Sequence, residues 1–364
     1  MKTGKSLTEL AQEIERRAES KRDYIAPVKK LSAVVETVDT LPQVVMNLKG
    51  QDSFPITPYA HGQMASYLEI PKKYYDRMLA DAPHILMDSI NRWLQDHGNE
   101  SRMIRVLDDK MRALLSDRFR PMENEDLAEA VLPVLNDLGV IVLSADITDR
   151  KFYLKAVDER ITLDIPTGKF MGDGGHTIFD TVSPAITISN SEIGAGTMLI
   201  ETSIWTKACT NLATFGASMR KYHAGTRADV SDEVYALLSD KTREVSDEAL
   251  WRQARDITKG AFEQARFEAI AKKLGDASED KIEDSPIEVI ERVRKRFSWT
   301  DGERDSVLKH LITGGDLTRY GLHAAVTRSS EDLDDYDRAS EFERLGGDII
   351  ELPKGDWKRL AEAA

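Results

Sequence analysis

The chain has 364 residues and a single cysteine, Cys209. It can form no internal disulfide and no zinc cluster built on several thiolates. No apolar run approaches the ~20 residues that a membrane-crossing helix needs. The opening residues, Met1-Lys-Thr-Gly-Lys-Ser-Leu, contain no apolar leader core. These absences predict a cytoplasmic protein without membrane contact. His-x-x-x-His and His-Glu-x-x-His are missing too, and no residue constellation specifies a reaction, a metal or a cofactor. Aromatic residues make up only 7% of the chain. The most informative absence is local: from Thr202 to Ala228 there is no Asp or Glu, although the chain holds 63 acidic residues against 50 Lys and Arg.

What is present is the composition of an ordinary globular protein, 41% hydrophobic and 31% charged, outside the disordered and fibrous classes. A net charge of −13 excludes indiscriminate coating of nucleic acid, so any polyanion contact must rest on local charge placement. The length favours more than one domain. The pattern divides into residues 1–50, an α+β core over 51–230, and a mainly helical region over 231–364 with an acidic linker near 276–291.

Residues 6–22 place Leu7, Leu10, Ala11, Ile14 and Ala18 on one helical face. Leu31 to Val38 and Val44 to Leu48 read as a pair of strands. A helical block from Pro58 to about His97 is punctuated by Pro71 and Pro83. Arg102 to Val106 and Lys110 to Leu115 form a hairpin pattern around Asp108-Asp109, and Asn124 suits the N-cap of a helix running to about Leu138. Further strands are expected at 140–147, 151–156, 177–189 and 197–202, with a glycine-rich loop at Gly172 to Gly175. From Ile204 the expected structure is helical, with Trp205 to Tyr222 drawn as one helix or as a helix broken near Gly216. Ser231-Asp-Glu begins a further helical region, and Thr300-Asp-Gly-Glu303 fits a capping box. Glycines 346 and 347 end a helix, and Ile349 to Leu352 form a last short strand. The whole predicts an α+β fold: a central, mostly antiparallel sheet over about residues 100–205, flanked by N-terminal helices and a helical C-terminal region.

Two basic, aromatic-bearing segments are the candidate binding residues. One is Arg112, Arg118, Phe119 and Arg120, where an aromatic between two guanidiniums suits stacking a base beside a phosphate. The other is Lys207, Arg220, Lys221 and Arg227 within the acid-free stretch. Each has a plainer reading: positive charge on an exposed hairpin edge discourages aggregation, and Arg220 and Lys221 offset a helix dipole. Other constellations carry less. Ser189 to Gly196 could cradle a phosphate, but strand-like flanks favour a hairpin connection. Asp173, His176 and Asp180 could hold a metal, and Cys209 with His223 could form a nucleophilic pair. Residues 61–79 have the rhythm of a helix-turn-helix, with Lys72, Lys73 and Arg77 on its second helix.

Several of these segments together resemble a family carried by phages and plasmids, catalogued as domain of unknown function 932. They are Ala60-His-Gly-Gln-Met-Ala65, Arg112-Ala-Leu-Leu-Ser-Asp-Arg-Phe-Arg-Pro-Met-Glu-Asn124 and Asn190-Ser-Glu-Ile-Gly194. Cys209-Thr-Asn211, Arg220-Lys-Tyr-His-Ala-Gly225, Ala324-Ala-Val-Thr327 and Glu343-Arg-Leu-Gly-Gly347 complete the set. Leu212 stands where relatives carry Gly. The resemblance implies DNA maintenance, recombination or interference with host defence. The expected function is a non-catalytic nucleic-acid-binding protein, of the single-strand annealing kind, with single-stranded nucleic acid as partner and a homo-oligomeric assembly. The alternative is an interaction factor that meets a host or phage protein through its acidic surface, notably Glu331 to Glu343.

Overall fold

The structure, a computed structural model, describes residues 1–38, 41–48, 53–97, 100–171, 175–207, 210–223 and 240–362. It is an α+β protein built on antiparallel sheets. The N-terminal part holds two small sheets. Strands β2 (Leu31–Val38), β3 (Leu41–Leu48) and β4 (Ser53–Pro55) form one, and β1 (Arg22–Pro27), β5 (Ser101–Leu107) and β6 (Lys110–Ser116) form the other, in the order β1-β5-β6. Helices α2 (Pro58–Tyr67), α3 (Lys72–Asp81) and α4 (Pro83–Asp96) close a common core over them, around Phe54, Met64, Tyr75, Leu86 and Ile104. The two prolines act as the sequence requires: each opens a helix and ends the one before it.

The large sheet runs β12-β11-β10-β8-β7, with β9 also paired to β10. Its strands are β7 (Ile141–Ile147), β8 (Phe152–Val157), β9 (Leu163–Met171), β10 (His176–Asn190), β11 (Met198–Thr206) and β12 (Asn211–Lys221). One face packs on α1 (Leu7–Ser20), α5 (Asn124–Leu138) and α6 (Asp240–Gly260), through Leu10, Leu127, Val131, Ile188, Ile200 and Leu250. The other face packs on α7 (Gln264–Ala277), α10 (Arg319–Ser329) and α11 (Tyr336–Glu351), through Phe215, Phe267, Tyr320 and Ile350. Helices α8 (Pro286–Phe297), α9 (Asp301–Gly314) and α12 (Lys354–Ala361) share a further core with α10 and α11. The capping boxes are formed at Ser6/Glu9 and Thr300/Glu303.

Three local expectations are corrected. None of the described residues between 205 and 222 is helical: Trp205 and Thr206 complete β11, and Asn211–Lys221 form β12. Thr206, Thr210, Thr214, Trp205 and Phe215 favour strand. The alternation that would have revealed it is lost because every residue of β11 is buried, helices covering both faces. The strand expected at 349–352 is the last turn of α11, which passes straight through Gly346-Gly347. Those glycines are contact points rather than stops. A Cβ on Gly347 would lie 1.9 Å from the Thr214 carbonyl oxygen, and one on Gly346 would lie 2.3 Å from the Thr327 methyl. The hairpin at 101–116 belongs to the smaller sheet with β1, so the large sheet starts at Ile141 and extends to Lys221. Positive φ at Asp108 and Asp109 (50° and 56°) gives the two-residue turn that joins β5 to β6. The loop residues Gly172 to Gly174, the start expected at Ser231, and Cys209 lie outside the described residues.

No helix among the described residues is long and apolar enough to cross a membrane. Gly347→Ala is expected to cost about 2 kcal/mol or more, because backbone stands where the methyl would go. Urea unfolding measures this, and a loss under about 0.5 kcal/mol would contradict the close approach of α11 to β12.

Candidate nucleic-acid interface

The loop Asn190 to Gly196, between β10 and β11, is tied down by side chains from α2, β5, β6 and α5. Asn190 donates through Nδ2 to the Met122 carbonyl (2.7 Å) and to Asn124 Oδ1 (2.9 Å). Ser191 Oγ donates to the Arg150 carbonyl (2.8 Å), and Gln63 donates to the Ile193 carbonyl (2.9 Å). Glu192 is the hub. Its carboxylate accepts from the Asn124 amide (2.9 Å) and from Arg112 Nη1 (2.9 Å), while its carbonyl accepts from Arg105 Nη1 (2.7 Å). Asn124 is therefore the first residue of α5, with Glu123 as its N-cap, and a carboxylate from a distant loop meets the helix N-terminus.

Arg105 is fully buried and satisfied by Asp23 (2.9 Å), Glu123 (2.6 Å) and Glu192. Burial opposes ionisation of Glu192, but the Arg112 guanidinium and the converging hydrogen bonds outweigh it and hold its pKa at about 2. Burial pushes the neighbouring Glu123 up.

This network forms one wall of an open cleft of about 1300 Å³ between the small sheets, α2 and the 190s loop. The cleft is lined by Lys72, Arg102, Lys110, Arg112 and Arg150 with Asp108 and Asp149, more cations than acids in an acidic chain. Asp76, Glu100, Glu192, Asp335 and Asp337 pair with four of those cations from outside the lining. Two of the aromatic rings in it are Tyr59 and Tyr67. The Arg102 guanidinium lies over the Tyr67 ring, 3.9 Å from its centroid. Strand alternation on β6 sends Lys110 and Arg112 to the cleft, and Met111 and Ala113 into apolar clusters. Arg112 is only 6% exposed, yet its Nε and Nη2 are buried and without a hydrogen-bond partner, as is Nε of Arg102. Buried guanidinium donors left unmatched are costly, and a small shift of the Arg112 side chain toward the cleft would let an anion there meet them.

The remaining sequence-predicted residues separate. Phe119 stacks on His223 (centroids 5.0 Å apart, 7° between planes), the Arg120 amide donates to the His223 carbonyl (3.0 Å), and His223 Nδ1 lies 3.2 Å from the Arg120 carbonyl oxygen. The two basic segments therefore do meet, at Arg120 and His223. Arg120 is nonetheless paired with Asp247, and Arg118 is exposed on the turn after β6. Arg220 and Lys221 end β12, with exposed Tyr222 next to them. Lys207 lies past the far end of β11, close to where β12 begins. The 11 residues of β12 put it roughly 33 Å from Lys221. Arg227 lies outside the described residues. Among the described residues of this set, Arg112 alone lines the cleft, with Phe119 just behind Gly194 at its rim.

Sequence reasoning did not pick out Tyr59, Tyr67 or Arg150 as contacts. Arg102 and Lys110 belong to the positive hairpin cluster without being singled out as contacts, and Lys72 is placed on a helix-turn-helix. Only the folding of α2 against β6, through Gln63 Oε1 accepting from the Leu114 amide (2.8 Å), brings them together.

The acidic run has other duties. Glu331 pairs with the Met1 amino group and Arg328, Asp332 with His310, Asp335 and Asp337 with Arg150, Glu341 with Arg338, and Glu343 with Lys155. Among the described residues no three His, Cys, Asp or Glu groups cluster as metal ligands. Asp173 is outside them, and Asp180 accepts from the Tyr320 hydroxyl (2.7 Å). Thr210 is separated from His223 by the length of β12, whereas Cys209 itself is outside the described residues.

Comparison with protein-family models, with curated proteins and with solved structures returns no match.

Glu192→Gln is expected to destabilise the fold by about 3 kcal/mol, since it leaves Arg112 charged and unpaired in a buried site. Equilibrium unfolding decides this, and a cost below 1 kcal/mol would remove Glu192 from its central place. Burial also lowers His61, His223 and His323 to about 4. A histidine whose folded pKa is depressed binds more protons when unfolded, so its stabilising contribution is full above about 6.5 and is lost as pH falls towards 4. Melting temperature should fall steadily from pH 7 to pH 4.5. A flat profile over that window would contradict neutral burial of these rings.

Proposed function

We propose that the chain is a non-catalytic protein that binds single-stranded nucleic acid in the Arg112 cleft, of the kind its motifs resemble in phages and plasmids. The observation that carries this is the concentration of cations and unmatched guanidinium donors beside two tyrosines in one open cleft. Phosphates would sit against Lys72, Arg102, Lys110 and Arg112, and the face of Tyr59 would receive a base. The cleft is open and combines cations with tyrosine rings, which suits a flexible strand whose bases are splayed out rather than a stacked duplex. The internal pairing of Glu331 to Glu343 leaves the acidic-surface reading without a comparable site.

Binding of labelled oligo-dT should weaken with salt, with a slope of roughly −0.7 per phosphate engaged. Lys72→Ala with Lys110→Ala should flatten that slope by about 1.4. Tyr59→Ala should cost about 1–3 kcal/mol of affinity. An Arg220→Ala/Lys221→Ala variant should bind nearly as the parent does. Absence of binding at low salt, or loss of binding only in the Arg220/Lys221 variant, would overturn the assignment to this cleft.

A further inference from the structure

A second cavity, of about 450 Å³, lies between the large sheet and α11. Its volume falls within the range of small-ligand sites. Its floor carries the hydroxyls of Thr187, Ser189 and Thr214, all on buried residues of β10 and β12. Thr187 and Thr214 are within 3.2 Å of each other, and both contact Ser203.

The charges of the wall are mostly matched. Arg344 meets Glu201 at 2.5 Å, Arg338 meets Glu303 and Glu341, and Arg150 meets Asp335 and Asp337. Lys151 is the exception. It lines the cavity, is half-buried, and its ammonium has no carboxylate or hydrogen-bond partner among the described residues. Burial pushes that ammonium down from its ordinary value, with Asp337 opposing and Arg344 and Arg150 assisting. Arg344 adds a buried Nε–H with no acceptor. An ammonium without a direct carboxylate partner stands beside the Arg344 guanidinium and a hydroxyl floor, among the paired carboxylates of the wall, and offers a place for an anion.

Tyr59 and Arg150 line both this cavity and the large cleft, so the two are neighbours. We propose that the smaller cavity is an end-recognition subsite that takes a terminal phosphate monoester of the strand lying in the cleft. This rests on the strand-binding reading above. The chemistry favours a monoester over an internal phosphodiester, because its second negative charge answers Lys151 while Arg344 supplies a directed donor. The cavity is large enough to hold a terminal nucleotide with its phosphate.

The test compares full-length protein binding to oligo-dT carrying a 5′-phosphate, a 3′-phosphate or hydroxyls at both ends, alongside thermal stabilisation by thymidine monophosphates. The expected result is at least tenfold preference for one phosphorylated end. Lys151→Gln should erase that preference and leave hydroxyl-ended binding within twofold. Ser189→Ala, a milder change, should reduce the preference severalfold. Equal affinity for all three oligonucleotides, with no stabilisation by a monophosphate, would overturn the subsite and leave the cleft standing. Stabilisation by a monophosphate that is lost in Lys151→Gln, with no oligonucleotide bound at all, would instead keep the cavity as a free-nucleotide site. That outcome would overturn both end recognition and the cleft.

Discussion

One buried carboxylate sets the geometry on which the rest depends. Glu192 caps the first turn of α5, neutralises Arg112 on β6 and, through its own carbonyl, fixes Arg105 on β5. These three partners belong to the small sheet and to the helix that packs on the large one. The same residue that joins the two halves therefore also determines how β6 faces the cleft. Exchanging it for a neutral group would leave cations stranded in a low-dielectric wall, where such imbalances are worth several kcal/mol. Arg112 spends one nitrogen on Glu192 and keeps two buried and unmatched, so the hub that stabilises the fold also sets a guanidinium in the wall of the cleft.

The motif segments acquire separate physical meanings once folded. Gln63 bridges α2 to β6 and to the 190s loop. Asn190, Ser191 and Glu192 bind that loop to α5, β6 and the β7–β8 turn. Gly346 and Gly347 let α11 lie directly on β12 and α10. Glu343 meets the fully buried Lys155 at 2.7 Å, close but poorly aligned for a hydrogen bond, while Lys155 donates to Ser340 (3.0 Å). Most of these residues position others. Arg112 is the one that both positions and presents a charge.

Much of the fold was legible locally. The hairpin about Asp108-Asp109, the capping box at Thr300, the proline breaks at 71 and 83, and the α+β class all follow from short-range chemistry. The stretch 205–222 was not, because a sheet buried on both faces erases the period-2 signal and leaves a run that reads equally as helix. The candidate site was legible only in part. Arg112 announced itself by alternation on β6, whereas Tyr59, Lys72 and Arg150 come from elements far apart in sequence. The acid-free stretch at 202–228, the plainest compositional signal, owes part of its character to strand burial: Thr202 to Thr206 of β11 are inside the protein, where unpaired acids are excluded.

The central claim is that a nucleic-acid strand lies in the cleft beside Arg112. Photocrosslinking of 5-iodouracil-substituted oligo-dT, with the attachment sites mapped by peptide mass spectrometry, tests it most directly. The account predicts crosslinks at Tyr59 and Tyr67. Crosslinks confined to Tyr222 and the end of β12 would contradict it.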